Sequence, residues 1–455
     1  MQDRIFPDYL RTLADFAANA KIGDLSDAAR DRALWVIADC IPVVAAGMQQ
    51  PEMKTLVERH LARAGQGNCW VIGAKRRAAP LDAALLNGTA GTWLELDEGN
   101  LFAGGHPGIQ VVPAAVAVAQ DIGARGDDLL LAVALGYEIS SRINRASQVR
   151  LAVHPHGTFG TIGAALAGAK LKRFNAAQMM DLINSSATMG MSTSRNAIID
   201  GATVRNIYTG HSGYMGLMAV QLVECGFTGE SDAVYQIYGR VISDGFDRPK
   251  VVAGLGSEWL IAKSYFKLHP VGRYAHSAID ALEDLLAKVP GGRLDIDQIE
   301  RIDVRAYMRA AMLGEKNVRT SFQSRFSVPF GLASILYHGR SGLAPFEQAA
   351  VDNPQIQALT QRVDLREDES FSARYPQEQP VTIRITMRGG AVHDGLCTVT
   401  KGEPAKPHQQ ADLTAKFFEL GEPVWGKATT RMLYDGLMHL EDITDFRAFA
   451  DGFKL

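Results

Sequence analysis

The sequence predicts a mainly α fold: a large all-helical domain, a smaller α+β domain, and a C-terminal tail that returns to the helical domain. Three observations predict it. Apolar residues recur at helical spacing up to about residue 265. The pattern turns strand-like after about Phe266, and helical signals resume in the last fifty residues. A chain of 455 residues is also too long for one ordinary core, which favours two domains. The expected divisions are 1–265, 266–404 and 405–455.

The elements follow in order. Tyr9, Leu10, Leu13, Phe16 and Ala17 form one helical stripe. Ser26-Asp27 is placed to cap a second helix through Ala33, Leu34, Ile37 and Ala38. An alanine- and leucine-rich run from Leu81 to Leu96 leads to a loop, Gly99 to Gly108. Pro113 suits the first turn of the next helix, and Asp127–Arg142 predicts another. Gly157 to Leu171 carries small residues over much of its surface, at Gly157, Gly160, Gly163, Ala164, Ala167 and Gly168. Each helical Gly costs about 1 kcal/mol relative to Ala, so close packing must offset it and a central helix is predicted. Asn175–Met189 and His211–Cys225 read as two more helices. Beyond Phe266, Ile299, Ile302 and Val304 form a strand-like run, and Val381, Ile383, Ile385 and Met387 alternate on one face. Gly389-Gly390 supplies a hairpin turn into Ala391–Val399, and Val328–Tyr337 predicts a helix between the strands. Leu413, Phe417 and Leu420 mark a helix in the tail.

Composition narrows the function classes. With 47 basic and 50 acidic side chains the net charge is -3, which argues against general nucleic-acid or membrane-surface binding. Cys40, Cys69, Cys225 and Cys397 are dispersed without a CxxC pair, so buried free thiols in a reducing compartment are expected. Met1-Gln2-Asp3-Arg4 opens a polar amphipathic stretch without a signal-peptide core, and no run is long enough to span a bilayer; a cytoplasmic protein is expected.

Four clusters carry candidate chemistry. Glu95, Asp97, Glu98 and Asn100 precede Gly104-Gly105-His106-Pro107-Gly108, gathering carboxylates, an amide and a histidine around a glycine-rich loop. The helix that follows offers N–H groups to an anion; the alternative is a solvated acidic turn at a capped helix end. His154 and His156 lead into the small-residue helix, where an anion can bind and an imidazole can exchange protons. Arg205, with His211, and Lys267, with His269, Arg273 and His276, place positive charge beside turn-forming residues, as carboxylate binding requires. Gly157-Thr-Phe-Gly160-Thr-Ile-Gly163 is not GxGxxG, and Walker, HExxH and GxSxG motifs are lacking, so neither a dinucleotide nor another organic cofactor is expected. His106, His154 and His156 with Asp97 match no familiar metal spacing, so no metal is expected either.

In this order the clusters resemble the MmgE/PrpD family, which includes 2-methylcitrate dehydratase, cis-aconitate decarboxylase and an iminodisuccinate epimerase. The resemblance runs through Leu94–Glu98, Gly105–Ala115, Gly136–Arg142, His154–Ala164, Glu224–Gly229 and Phe326–Phe330. It implies a homodimer whose active site lies in a cleft between the two domains, and catalysis without an iron–sulfur cluster. The family's Asp-x-Asp-Asp-Thr segment falls on Glu95 to Gly99, and its two motif histidines fall on His106 and His154. One pocket lysine is kept as Lys267 and another is replaced by Arg205. Phe330 falls where a characterised decarboxylase has a tyrosine, and Gly272 where it has a histidine. Arg205 can bind a carboxylate bidentately but cannot serve as acid or base.

The function this implies is a cofactor-independent lyase, a dehydratase, that removes a proton next to a carboxylate on a small di- or tricarboxylic acid. Glu95, Asp97, Glu98, His106, His154 and Lys267 are the candidate catalytic residues; Asn100, His156, Arg205, Arg273 and His276 are the candidate substrate-binding residues. Epimerisation, decarboxylation and a non-catalytic anion-binding role are the alternatives.

Overall fold

The computed structural model describes residues 4–455; Met1-Gln2-Asp3, the start of the polar N-terminal stretch, lies outside the described residues. The protein is mainly helical, with a small four-stranded sheet and two two-stranded ones among the described residues. Asp8–Asn19 buries Tyr9, Leu10, Leu13 and Ala17, as their spacing predicts, while Phe16 is half-buried. Ser26 caps Asp27–Met48 by accepting from the Ala29 amide at 3.2 Å.

The helix Gly160–Leu171 sits at the centre, packed by Gly108–Ile122, Gly126–Ala146, Ala176–Ala187 and Ile207–Glu224. Small residues make this possible. A Cβ on Gly163 would stand 2.7 Å from Ser140 Oγ and 2.8 Å from Val111 Cγ2. A Cβ on Gly136 would run into the Gly163 carbonyl oxygen, and one on Gly216 would stand 2.7 Å from Ala164 Cβ.

Three boundaries differ from expectation, each at the cleft. The run that begins at Pro80 ends at Gly91, and Thr92 to Glu98 becomes a buried turn. The next helix starts at Gly108, so Pro113 lies inside it; Glu98 takes the Gly108 amide and allows the earlier start. The central helix starts at Gly160, because Gly157 holds a left-handed φ of 86° in the preceding turn.

The strands run in the order Val363–Glu367, Ile299–Ala306, Val381–Met387, Val392–Cys397, with the first pair parallel and the others antiparallel. Val381, Ile383 and Ile385 face a core shared with Ile279 and Leu282 of the helix His276–Ala287 and with Phe330. The parallel strand Val363–Glu367 is one that sequence reasoning did not anticipate. In the tail, Gln410–Met438 lays Leu413, Phe417, Leu420 and Leu437 against the helical core built around Asp27–Met48. Cys40, Cys69 and Cys397 are buried, whereas Cys225 is exposed at the end of its helix, contrary to the expectation for all four. No single helix among the described residues is long and apolar enough to cross a membrane.

Helix propensity and packing make opposite predictions at Gly136. Ala is favoured over Gly by about 1 kcal/mol in a helix, but overpacking costs about 1–3 kcal/mol. Because the obstacle is backbone, Gly136→Ala is expected to lower stability in urea unfolding; an unchanged or raised midpoint would contradict the close-packed centre.

Candidate active site

The turn after Gly91 carries three carboxylates into the interior. Glu95, Asp97 and Glu98 are 1%, 0% and 0% exposed, which excludes the solvated acidic turn. Burying an ionised carboxylate costs several kcal/mol unless it is paired. Glu95 Oε1 lies 2.5 Å from Arg205 Nη1, and its Oε2 lies 3.3 Å from Lys267 Nζ. Lys267 Nζ also donates to Asp97 Oδ1 at 3.0 Å. Two carboxylates and two basic side chains thus form one buried, ion-paired set. Glu95 holds φ 54°, a left-handed conformation that a non-glycine residue keeps only when its surroundings fix it.

The neighbouring backbone is fixed as well. Arg325 Nη1 donates to Leu94 O at 3.2 Å, and Gly99 and Tyr265 exchange backbone hydrogen bonds of 3.1 and 2.7 Å. This pairing brings Lys267, two residues on, beneath the carboxylates. Asn100 pairs with Gly105 across the loop, which presents His106. The space a side chain on Gly99 would need is filled by the Tyr265 phenol, with His106 Nδ1 2.9 Å from the same point. Phe326 stands 2.9 Å from where a Cβ on Gly272 would lie.

His106 and His154 present opposite protonation patterns. His106 Nδ1 lies 2.6 Å from Glu98 O and 2.9 Å from Asp97 Oδ2. The Glu98 carbonyl only accepts, so Nδ1 carries a proton, with Asp97 Oδ2 beside it, and Nε2 meets no hydrogen-bond partner among the described residues. His154 Nδ1 instead accepts the His156 amide at 3.0 Å, so its proton sits on Nε2. Burial, then the charges of Arg205 and Arg195, hold His154 well below the usual imidazole range. It is therefore a neutral donor. Burial pushes Asp97 up, but Lys267, His106 and Arg205 together outweigh it and hold it ionised below the ordinary range. His156 is wholly buried, packed edge-on against both rings at centroid distances of 4.9 and 4.6 Å, with neither nitrogen partnered.

These groups surround a cavity of about 150 Å³ lined by both parts of the chain. Glu95, His106, His154 and Arg205 face it, together with Arg195, Tyr265, Arg273, Arg309 and Phe326. Arg195 anchors Nε and Nη2 on the carbonyls of Leu151 and Val153, at 2.6 and 3.0 Å. Arg309 Nε and Arg205 Nε are buried without a partner. Among the described residues neither Arg195 nor Arg309 meets a carboxylate, so the cavity carries cationic charge that the protein does not neutralise. A small anion with several carboxylates matches it.

Several sequence-derived candidates lie elsewhere. Glu98 points away from the cavity, accepting from the Gly108 amide and sharing a hydrogen bond with Tyr137 at 3.2 Å. Because Glu98 takes that amide, the start of Gly108–Ile122 is not open to a ligand. Gly157, at the turn before the central helix, likewise gives its amide to Gln110 Oε1 at 3.0 Å. Asn100 lines the cavity, but its side chain is consumed by Leu260 O and by the amides of Phe102 and Ala103. Arg273 is held by Glu403 at 2.6 Å and by Lys401 O, and it lies over the Tyr265 ring. His276 is buried against Val271 O, and Phe330 lies in the sheet-domain core. Lys267, Asp97 and His156 stand behind the lining. Asp97, His106 and His156 can offer ligand atoms within 4.8 Å of one another. Lys267 and Arg205 already supply positive charge there, which opposes a cation. Arg195, Arg309 and Tyr265 were missed because isolated residues in loops, or in a helix as short as Met308–Ala311, leave no periodic signal.

Comparison with known proteins finds similarity over nearly the whole chain. The MmgE/PrpD N-terminal domain matches residues 11–247, and the MmgE/PrpD C-terminal domain matches residues 269–440. Cis-aconitate decarboxylase of Aspergillus terreus is 23% identical over 95% of this chain and 93% of its own length. A cis-aconitate decarboxylase-like protein of Aspergillus oryzae is 25% identical over 97% and 96%.

Burial pushes Glu98 up to about 8 from 4.5, against the opposing bond from Gly108. A raised folded-state value means that its contribution to stability is full below about 4.5 and is lost as pH rises to about 8. Glu98→Gln keeps an acceptor for Gly108 and a donor for Tyr137 but does not titrate. The stability of the unmodified protein relative to this variant is expected to fall by about 1.4 kcal/mol per pH unit across that window. Urea unfolding at several pH values measures it, and a pH-independent difference would contradict a protonated Glu98.

Proposed function

The chain belongs to the MmgE/PrpD family, and from its cleft we propose a lyase that dehydrates a small polycarboxylic acid by proton transfer beside a carboxylate. The observation that carries this reading is His106: its proton is fixed on Nδ1 by Glu98 O and Asp97, and its Nε2 is open in a cavity with unneutralised guanidinium groups.

Arg195, Arg309 and Arg205 bind the substrate carboxylates. His106 Nε2 takes the proton from the carbon next to one of them, and ionised Asp97 stabilises the imidazolium that forms, as a carboxylate does in other carboxylate–histidine pairs. The Nε2–H of neutral His154 donates to the oxygen on which negative charge develops. The imidazolium of His106 then returns its proton to the departing hydroxyl, which leaves as water. Lys267, wholly buried, donates to both Glu95 and Asp97 and holds Asp97 ionised. One positioned acid–base group gives about 10²–10⁴-fold, and one oriented donor contributes about 2.7–4 kcal/mol, so neither suffices alone for an ordinary rate enhancement of roughly 8 kcal/mol or more.

Decarboxylation is the second reading, favoured by the names of the two relatives. In that case a carboxylate leaves as carbon dioxide against the apolar wall of Ile198, Leu313 and Phe326, and the carbanion takes the Nε2 proton of His106 in its imidazolium form, which water then reprotonates. Proton NMR in heavy water with hydroxylated and unsaturated di- and tricarboxylates separates the readings. Dehydration gives an alkene and no carbon dioxide; decarboxylation releases it. Binding without turnover across the panel would overturn both and leave an anion-binding protein.

Two variants test the roles. His106→Asn is expected to lower kcat about 10²–10⁴-fold with little change in KM. Arg309→Met is expected to raise KM more than it lowers kcat. Steady-state kinetics checks both, and full activity in His106→Asn would contradict the mechanism.

A further inference from the structure

We infer that Lys416, in the C-terminal helix Gln410–Met438, is a positioning residue for the Asp97–His106 pair, an inference that rests on the proposed proton-transfer chemistry. Lys416 is buried, and its Nζ makes two bonds: one to Asp39 Oδ1 at 2.6 Å and one to Leu96 O at 2.8 Å. Leu96 is the residue between Glu95 and Asp97. The tail therefore grips the backbone midway between the two buried carboxylates.

The ion pair alone does not explain the arrangement. A buried ion pair contributes little to stability compared with apolar side chains of similar size. Asp39 keeps its second oxygen, Oδ2, unpartnered, while Lys416 directs a donor to a carbonyl. That carbonyl belongs to a segment with a conformation that needs outside support, since Glu95 holds φ 54°. The supports come from three parts of the sequence: Arg325 on Leu94 O, Lys416 on Leu96 O, and Tyr265 on Gly99. Without Lys416, Leu96 O has no donor, the turn relaxes, and Asp97 and Glu98 O lose their register with His106 Nδ1. Lys416 does not line the cavity, so it acts at a distance, through the Leu96 carbonyl.

The test uses the full chain, unmodified and as Lys416→Met and Asp39→Leu/Lys416→Met. The double variant removes the charge pair together and protects against loss of folding from an orphaned carboxylate. Three readouts are taken: thermal unfolding, affinity for the non-reacting tricarboxylate tricarballylate by calorimetry, and kcat. The His106 Nδ1–H resonance of ¹⁵N-histidine-labelled protein is followed as well. The double variant is expected to unfold cooperatively and to bind tricarballylate within about twofold of the unmodified protein, because Arg195, Arg205 and Arg309 are untouched. Its kcat is expected to fall about 10²-fold, the effect of a displacement on the order of 1 Å, with KM little changed. Its His106 Nδ1–H signal loses its downfield position and its protection from exchange. Unaltered kcat and an unaltered Nδ1–H signal would overturn the inference. So would loss of cooperative unfolding in both variants, since Lys416 would then serve folding and nothing more. If the unmodified protein shows no turnover, the functional reading fails, and the Nδ1–H signal alone decides whether Lys416 sets the register.

Discussion

Two carboxylates, a lysine and an arginine, all buried, set the conditions for everything else in the cleft. Lys267 lies against both carboxylates and Arg205 against Glu95, at 2.5–3.3 Å, and this positive charge outweighs burial to hold Asp97 below the ordinary carboxylate range. Removing one partner of such a set leaves an uncompensated buried charge, at a cost of about 3–5 kcal/mol. Within the set only the Nε of Arg205 is left without a partner, so most of the positive potential felt by a ligand comes from Arg195 and Arg309. The Glu98 carbonyl, with Asp97 beside it, then fixes the orientation of His106: its Nδ1 proton is held inward and its Nε2 faces the cavity.

The fold serves this set from several directions. The close-packed centre around Gly160–Leu171 supports the His154–His156 turn, and the Gly99–Tyr265 pairing delivers Lys267. The sheet domain sends Arg325 to Leu94 O and Arg309 to the cavity. The tail helix packs on Asp27–Met48 and reaches Leu96 O through Lys416. Residues that are strained or buried at high cost here, such as Glu95 with its left-handed backbone, are those on which all these contacts converge.

Much of this was legible in the residues. Alternation at Val381–Ile385 and the small-residue run from Gly157 to Gly168 each reported a packing environment, because periodicity records burial directly. The four chemical clusters were visible as unusual residue types beside glycines, and His106, His154, Arg205 and Lys267 do meet around one cavity or directly behind it. Direction was not legible. Glu98 and Asp97 are adjacent, yet one turns to a helix start and the other to the histidine. Arg273 and Arg309 are both basic, yet only Arg273 finds an internal carboxylate, in Glu403. The partner that claims a charge comes from a distant part of the chain, and local pattern does not encode it.

The most direct measurement is a crystal structure of the protein with tricarballylate bound. The account predicts its carboxylates on Arg195, Arg205 and Arg309, with a carbon next to one of them roughly 3–3.5 Å from His106 Nε2. An anion seated outside this cavity, or a His106 ring with Nδ1 turned away from Asp97 and Glu98 O, would contradict it.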